Sequence, residues 1–248
     1  ASGLGFALAQ RFAREGHPVC IADINPEQGE RAAQSLRGTC DAVFHFCDVR
    51  DPQQMKAAVQ AAHDHFGHLG IMINNAGTAS GGPFDWLTVE DWRWIMEINF
   101  FGVLYGCQAA TPLMMAQKQG HIVNVGSMAG LMNLPGMSNY NVSKAAVISL
   151  SETLAGELAP YNIGVTCVCP SFFATKLAET MRSPDKNMPG VLQGLMDTGE
   201  LSAEDIAEQV YQGVMQKQFL ITPHQKARAH WDAKCQDLEK FLRAQMRL

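Results

Sequence analysis

Apolar and polar residues alternate along this chain in blocks of two kinds. Six apolar runs, each six to nine residues long, predict buried β-strands. They are HPVCIAD (17–23), DAVFHFCDV (41–49), LGIMINNAG (69–77), GHIVNVGS (120–127), NIGVTCVCP (162–170) and QFLITP (218–223). Between them, helical periodicity predicts helices near 5–15, 26–36, 51–66, 88–116, 137–159 and 202–217. Strands that alternate with helices are typical of a parallel sheet covered on both faces.

This order of elements predicts an α/β fold with a doubly wound parallel sheet in three layers, with helices on both sides. A chain of 248 residues suits one such domain, and we expect residues 1–248 to form it. Residues 171–200, rich in proline and glycine, fit neither pattern and are predicted to be a loop that covers a substrate. The first predicted helix begins almost at Ala1, and a doubly wound sheet needs a strand before it, so we expect a strand that precedes Ala1.

Residues 224–248 form a tail beyond the last predicted strand. Trp231, Leu238, Phe241 and Leu242 recur there at helical spacing, which predicts an added amphipathic helix. The tail carries six basic and three acidic residues, so a weak association with a membrane surface stays open. We expect the helix instead to pack on the core or at a subunit interface.

Composition excludes several classes of protein. The formal net charge of −5 argues against a general nucleic-acid binder. The apolar runs are too short to cross a membrane, and no secretory leader is recognisable, so we expect a cytoplasmic protein. Seven cysteines are an odd number and lie mostly in apolar runs, which indicates reduced core thiols. Cys167 and Cys169 share a strand face but lack further ligands at zinc-site spacing, so we expect no metal.

The segment Ser2-Gly3-Leu4-Gly5 runs directly into the first predicted helix. Glycines at such a turn let a pyrophosphate approach the backbone and lie on the N-terminus of the helix. Two glycines alone are also compatible with an ordinary helix-entry turn. The turn therefore predicts a dinucleotide site only in combination with other residues.

Asp23 ends the next predicted strand, about 20 residues beyond the glycines, where a dinucleotide-binding unit places its ribose-binding acid. A carboxylate there repels a 2′-phosphate, and the neighbours Ile24 and Asn25 supply no cation. The pattern favours NAD over NADP, although NADP stays open. The alternative is a solvated aspartate that opens the next helix.

Tyr140 and Lys144 lie four residues apart and share one face of a predicted helix. A surface pair at this spacing is the alternative interpretation. Ser127 lies at the end of the strand GHIVNVGS, and the carboxyl ends of strands are where open α/β sheets gather their active-site groups. The three residues together indicate a catalytic site.

The motifs NNAG (74–77), Ser127 and Tyr140-x-x-x-Lys144 resemble those of the short-chain dehydrogenase/reductase superfamily, over essentially the whole chain. The resemblance implies a Rossmann fold and a catalytic group completed by Asn99. It also implies a cofactor site formed by Ser2, Gly3, Leu4, Gly5, Asp23, Asp48, Val49, Asn75, Ala76, Gly77, Tyr140, Lys144, Pro170, Phe173 and Thr175. Within that set, Asp48 and Val49 would contact the adenine, and Pro170 to Thr175 the nicotinamide carboxamide. Ser171 departs from the family, which has glycine there.

This group of residues suits the reduction of a carbonyl or the oxidation of an alcohol. A tyrosine has an ordinary pKa near 10, and a nearby Lys144 ammonium is expected to lower the pKa of Tyr140. Ser127 would hydrogen-bond the substrate oxygen. The resemblance further implies that Lys144 holds the nicotinamide ribose and that Asn99 helps a water to relay protons. We therefore expect an NAD(P)-dependent oxidoreductase with Tyr140 as acid/base.

Apolar residues are expected to face the substrate. They are Leu131, Met132, Leu134, Phe172, Phe173, Leu177, Met181, Met188, Leu192, Leu195 and Met196. Such a lining suits a bulky apolar alcohol or ketone, although the same side chains could merely pack the lid onto the domain. An NADPH-dependent 3-oxoacyl thioester reductase and a non-catalytic dinucleotide-binding regulator are the alternatives. We also expect a homodimer or homotetramer formed through the helices near 88–116 and 137–159.

Overall fold

The fold was analysed in a computed structural model, which describes residues 1–246 apart from the side chain of Lys176. Strands and helices alternate as the sequence predicts. The strands are β1 (Val19–Asp23), β2 (Ala42–Phe46), β3 (Ile71–Asn74), β4 (Gly120–Val125), β5 (Ile163–Val168) and β6 (Leu220–Ile221). The helices are α1 (Gly3–Arg14), α2 (Pro26–Leu36), α3 (Pro52–Phe66), α4 (Val89–Met96), α5 (Gly102–Gln117), α6 (Met128–Met132), α7 (Ser138–Leu158), α8 (Met188–Asp197), α9 (Ala203–Met215), α10 (Gln225–Gln236) and α11 (Leu238–Gln245).

All strand pairs of the two sheets are parallel. β1 pairs with β2, while β3, β4, β5 and β6 form a second sheet in chain order. The described strands leave a gap between β1 and β3, so the parallel sheet that the sequence predicts is seen as two parts. Apolar side chains such as Phe12, Ile21 and Ile71 line a cavity there. In the doubly wound order this gap is where the strand expected before Ala1 would lie, and that strand stays a prediction.

Helices cover both faces of the four-stranded sheet. On one face α3, α5 and α7 bury a cluster that includes Met55, Val103 and Val147. On the other face α1 and α9 bury a cluster that includes Leu8 and Ile206. Because both faces are buried, the strands consist of nearly continuous apolar residues. The result is the three-layer α/β fold that the sequence predicts.

Helix starts carry the capping residues that satisfy free backbone N–H groups. The Asn25 side chain accepts from the amide of Gln28, and Asp51 accepts from the amides of Gln53 and Gln54. Both helices then have proline in the first turn, where its missing N–H costs nothing. These local signals explain why the predicted starts of α2 and α3 lie within a residue of the observed ones.

Two predicted segments in the body of the fold differ from the structure. The helix expected over 88–116 contains a π-helical turn at Glu97–Phe101, between α4 and α5. The segment 171–200, predicted to be a loop, contains a 3-10 turn at Lys176–Thr180 and the helix α8. Pro189 lies in the first turn of α8, which proline tolerates, and the helix is held by burial of Leu192 and Met196.

The tail is also different from its prediction. In place of one helix it forms α10 and α11, which meet at Asp237. The Asp237 side chain accepts from the amide of Lys240 and so caps the start of the second helix. Residues 247 and 248 of the predicted helix lie outside the described part of the chain.

Close packing between α5 and β3 depends on Gly106. A Cβ atom built there would lie 1.9 Å from Oδ1 of Asn74 and 2.8 Å from the Met72 side chain. Asn74 is fixed by a hydrogen bond from its Nδ2 to Oδ1 of Asn124, at 2.8 Å. The helix can therefore approach the sheet only where it has no side chain.

We predict that Gly106→Ala destabilises the protein by about 1–3 kcal/mol, because the added methyl group overpacks a fixed buried side chain. Gly156→Ala in α7 is the matched control, since a Cβ there meets no described atom within 4 Å. The control should be neutral or stabilising by a few tenths of a kcal/mol, because alanine favours the helix. Urea unfolding of both variants measures the difference, and equal stabilities would contradict the packing argument.

Candidate functional site

A cavity of about 1180 Å³ opens at the carboxyl ends of β1, β3, β4 and β5. Its walls come from the loops that follow these strands, together with the N-terminus of α1 and the first turns of α7. The cavity also extends into the apolar gap between the two sheets, so its volume is larger than that of the site alone. In open parallel sheets this edge is where ligands bind.

One end of the cavity is formed by the glycine turn and Asp23. Gly3 has a φ of 51°, a conformation that favours glycine. A Cβ at Gly5 would lie 2.5 Å from Nδ2 of Asn75, so this turn lies directly against the NNAG segment. Oδ2 of Asp23 lies 2.9 Å from the backbone nitrogen of Ala1, while its Oδ1 accepts from the amide of Asn25. The fold thus brings the turn and the carboxylate together, as the spacing predicts.

Asp48 and Arg50 form part of the same end. The guanidinium of Arg50 donates from Nε to Oδ1 of Asp48 at 2.9 Å and from Nη2 to Oδ2 at 2.5 Å. These hydrogen bonds hold the pKa of Asp48 below its usual value. Arg50 is therefore a cation of the cavity wall whose charge is already balanced by a carboxylate.

Tyr140 and Lys144 lie at the other end, on adjacent turns at the start of α7. Both are buried, and Nζ of Lys144 donates to the carbonyl of Val125 at 2.9 Å. The same Nζ lies 5.9 Å from the centre of the Tyr140 ring. The pair therefore faces the end of β4, where Ser127 follows two residues later.

The acid–base properties of the pair differ from the sequence expectation. Burial raises the pKa of Tyr140, and hydrogen bonding to the Ser127 side chain only partly opposes that shift. Burial also lowers the pKa of Lys144 to about 8. The expected lowering of the tyrosine pKa by Lys144 is thus not present in this structure, because loss of hydration dominates at both groups. The phenol is consequently in its protonated form at neutral pH, which is the form that can donate a proton.

Ser127 is the N-cap of α6. Its Oγ accepts from the amide of Ala129 at 3.1 Å and lies 3.5 Å from the carbonyl of Pro170. Met128 N donates to the same Pro170 carbonyl at 2.9 Å. The short helix α6, which the sequence analysis did not predict, thereby fixes Ser127 between α7 and the loop after β5.

Asn99 lies one layer behind these residues, in the π-helical turn. Its Oδ1 accepts from the amide of Thr78 at 2.9 Å, and its Nδ2 donates to the Thr78 carbonyl at 3.0 Å. Nδ2 also donates to Oγ of Ser143 at 3.1 Å. Asn99 thus connects the NNAG loop to α7 from inside the protein.

All fifteen residues predicted for the cofactor site line the cavity, and so does Ser127. Asn99 does not. Seven of the eleven apolar residues predicted to face a substrate also line it: Met132, Leu134, Phe172, Phe173, Leu177, Leu192 and Met196. The other four, Leu131, Met181, Met188 and Leu195, do not line it. Leu131 packs against the buried cluster that contains Met128, and Met181 packs against the cluster that contains Ala178.

Sequence reasoning missed two groups of buried polar residues beside the site. Nδ2 of Asn124 donates to Oγ of Ser151 at 3.0 Å and so extends the Asn74 pair into α7. Separately, Oδ1 of Asn139 accepts from the amide of Tyr140 at 2.9 Å, and its Nδ2 donates to Ser80 at 2.7 Å. Asparagine inside an apolar strand, as in IVNVG, was an available signal, because such a residue needs a buried partner.

The described residues contain no group of three or more His, Cys, Asp or Glu side chains arranged to hold a metal ion. No helix within residues 1–246 combines the length and the apolar character needed to span a membrane.

Comparison with known sequences gives a family match. The family model described as short chain dehydrogenase matches residues 1–186. A (+)-borneol dehydrogenase 2 of Salvia officinalis is 35% identical over 232 residues, which cover 85% of this chain and 78% of the relative. A 3-oxoacyl-acyl-carrier-protein reductase of Thermotoga maritima is 36% identical over 189 residues, covering 75% of each chain.

Comparison with solved structures agrees with the sequence match. A short chain dehydrogenase/reductase of Burkholderia phymatum, solved in complex with NAD, superposes with a TM-score of 0.91. It is 30% identical, and the similarity covers 96% of this chain and 91% of that one. The arrangement of elements around the cavity is therefore shared with an enzyme that binds a nicotinamide dinucleotide.

Proposed function

The chain belongs to the short chain dehydrogenase family and is an NAD(P)-dependent oxidoreductase that acts on CH–OH groups, and on that premise we propose its substrate and its catalytic residues. The substrate is a bulky apolar secondary alcohol or the corresponding ketone. Tyr140 is the acid/base. The observation that carries the proposal is the burial of Tyr140, Ser127 and Lys144 at the end of the cavity where its apolar lining begins.

The residues present fit a dinucleotide. Side chains at Gly5 and Gly77 would collide with Asn75 and crowd Asn99, so these glycines let the N-terminus of α1 and the NNAG loop lie close together at the cavity wall. The first backbone N–H groups of α1 would hold the pyrophosphate, Asp23 the adenosine ribose, and Lys144 the nicotinamide ribose. When bound, the nicotinamide supplies or accepts the hydride.

The chain's own residues handle the proton. The Tyr140 phenol, protonated at neutral pH, donates its proton to the carbonyl oxygen of a ketone, and in the reverse direction the Tyr140 phenolate takes the hydroxyl proton of the alcohol. Ser127 Oγ orients the substrate oxygen towards the phenol. The Lys144 ammonium stabilises the phenolate that forms. Asn99 holds Thr78 and Ser143 in place from behind, which keeps the NNAG loop and α7 at a fixed separation.

The polar end of the site favours NAD over NADP. The Asp23 carboxylate repels a 2′-phosphate at the ribose. Arg50 is the nearby cation of this wall, and its charge is engaged by Asp48. The Asn25 side chain is occupied as the cap of α2. Neither the Arg50 nor the Asn25 side chain therefore neutralises the Asp23 carboxylate.

The apolar end defines the substrate class. Trp94, Leu134, Met137, Leu192 and Met196 line the cavity beyond Tyr140. A rigid hydrocarbon skeleton gains from burial against such a wall by about 25 cal/mol per Å². Methionines adapt to irregular shapes, so the wall suits a compact polycyclic or branched alcohol. The relative named (+)-borneol dehydrogenase acts on a substrate of this class.

A 3-oxoacyl thioester reductase is the second candidate, because a reductase of that name is 36% identical to this chain. Asp23 counts against it where such an enzyme uses NADPH. We also keep, as part of the proposal, a cytoplasmic location and a homodimer or homotetramer formed through α4, α5 and α7. Val142 on α7 is an exposed apolar residue that such an interface would cover.

A substrate panel tests the proposed class. The reaction is followed by the absorbance of the reduced cofactor at 340 nm. We expect kcat/KM for the oxidation of bicyclic and other bulky secondary alcohols with NAD to exceed kcat/KM for the reduction of straight-chain 3-oxoacyl thioesters. Each substrate is measured with both cofactors, and Tyr140→Phe serves as the inactive control. Preferred turnover of the thioesters with NADPH would replace the first candidate by the second.

We predict that Tyr140→Phe lowers kcat by about 10²-fold or more while NAD affinity stays nearly unchanged, because only the hydroxyl is removed. Lys144→Ala should lower both kcat and NAD affinity, since it removes the ammonium from phenol and ribose alike. Steady-state kinetics and NAD titration separate the two patterns. If Tyr140→Phe keeps kcat within about threefold of wild type, with hydride transfer shown to be rate-limiting by a deuterium isotope effect, Tyr140 is not the acid/base.

We predict that the double substitution Asp23→Ser with Ile24→Arg shifts preference from NAD towards NADP. The change removes the ribose hydrogen bonds and the repulsion, each of which is worth about 1–3 kcal/mol, and adds a cation for the 2′-phosphate. Dissociation constants for both cofactors measure the shift, with Glu27→Ser on α2 as an exposed acidic control. A wild-type protein that already prefers NADP would contradict the assignment of Asp23.

A further inference from the structure

The histidine at position 224 makes an unusual contact with the loop that follows β5. Nδ1 of His224 accepts a hydrogen bond from the backbone N–H of Ser171 at 3.1 Å. His224 immediately precedes α10, yet its side chain makes no capping bond to that helix. The ring is therefore directed to the Ser171 loop and not to its own helix.

This contact extends the hydrogen-bond ladder between β5 and β6, with a side chain in place of a backbone acceptor. Cys167 N donates to Phe219 O at 2.6 Å, and Cys169 N donates to Ile221 O at 2.8 Å. In the same register the next amide, Ser171 N, would donate to the carbonyl of Pro223. It donates to the His224 ring instead. The imidazole thus supplies the acceptor at the point where the two chains separate.

The result is a peptide unit held at both ends. The carbonyl of Pro170 and the amide of Ser171 belong to the same planar peptide. Its carbonyl accepts from Met128 N at 2.9 Å, and its N–H is held by His224. Ser127 Oγ lies 3.5 Å from that carbonyl. A rotation of this peptide would therefore disturb both the Ser127 segment and the start of the 171–175 loop.

The helix that follows His224, α10, is attached to α6. Lys234 Nζ, three turns along α10, donates to the carbonyls of Leu131 at 2.5 Å and Met132 at 3.3 Å. Trp231 packs against the buried cluster that contains Met128. These contacts attach α10 to α6, the helix that begins directly after Ser127.

We propose that His224 is a positioning residue, whose Nδ1 fixes the Pro170–Ser171 peptide and thereby orients the loop 171–175 and Ser127 at the nicotinamide end of the site. The inference rests on the proposed function, because it assigns that loop to the nicotinamide. His224 Nε2 is buried and has no hydrogen-bond partner among the described residues. An unpaired buried N–H costs free energy, so the ring is retained there for the bond made by Nδ1.

Protonation of the ring should break the contact. Nδ1 accepts a hydrogen bond only in the neutral ring. Burial lowers the pKa of His224, while the Phe172 backbone and the Glu200 carboxylate oppose that shift. Glu200 is itself paired with Lys226, and Arg228 on the next turn is paired with Asp232. The hydrogen bond is therefore present at neutral pH and is lost as the pH falls below the ordinary histidine value of 6.5.

The test compares His224→Leu, which removes the acceptor, with His224→Asn, whose Oδ1 can take the place of Nδ1. Dissociation constants are measured by calorimetry for NAD and for ADP-ribose, which lacks the nicotinamide. We expect His224→Leu to weaken NAD about tenfold, the factor for one hydrogen bond, and ADP-ribose less than about twofold. His224→Asn should restore NAD affinity to within about threefold, and His65→Leu, at an exposed histidine of α3, should change neither.

Two further readouts separate positioning from general damage. Hydrogen exchange of the Ser171 amide should become faster in His224→Leu but not in His224→Asn. As the pH falls below the ordinary histidine value of 6.5, the wild type should lose NAD affinity relative to ADP-ribose, while His224→Asn should not.

Several outcomes would overturn the inference. They are NAD affinity unchanged in His224→Leu, an equal loss of NAD and ADP-ribose binding, and failure of His224→Asn to restore NAD binding. A wild-type protein that binds neither NAD nor NADP would instead refute the proposed function, and the inference with it. Wild-type binding with an unaffected His224→Leu variant refutes the inference alone.

Discussion

The hydrogen bond from the Lys144 ammonium to the carbonyl of Val125 ties the start of α7 to the end of β4. An ammonium group loses its hydration when it is buried, and a partner at a fixed place is needed to offset that loss. The partner here is the last carbonyl of β4, two residues before Ser127. Tyr140, one turn earlier on α7, is consequently held over the same strand end. Two residues spaced four apart on α7 therefore both lie at the end of β4.

The burial that fixes the pair also sets its acid–base character. Loss of water lowers the pKa of Lys144 to about 8 and raises that of Tyr140. The phenol thus favours its proton-donating form in the protein alone, and its ionisation depends on charges brought near it during the reaction.

Backbone hydrogen bonds made by side chains hold the loops around this centre. The Asn99 side chain hydrogen-bonds both the amide and the carbonyl of Thr78, and the Asn139 side chain accepts from the amide of Tyr140. His224 takes the amide of Ser171. Each bond satisfies a backbone group where the hydrogen-bond ladder of a strand or helix is interrupted. The interruptions lie in segments that border the cavity. Loops without regular pairing are in this way kept rigid enough to position a ligand.

The order of strands and helices could be predicted from the sequence, because burial on both faces of a sheet produces continuous apolar runs. The sequence also predicted that Ser127, Tyr140 and Lys144 lie together, since a helix places residues four apart on one face and strand ends share one edge of a parallel sheet. The π-helical turn at Asn99, the helix α8 and the break at Asp237 depend on packing and capping between neighbours, which periodicity does not record.

The contacts of the predicted site residues follow only from the tertiary structure. Asn99 lies behind the cavity wall and not on it, and the pKa of Tyr140 is governed by burial instead of by Lys144. The role of His224 was likewise hidden, because Ser171 is 53 residues earlier in the chain. His224 and Ser171 become neighbours only when β5 and β6 pair. Sequence alone does not show such contacts, because hydration and hydrogen bonding depend on distance in space and not on separation in sequence.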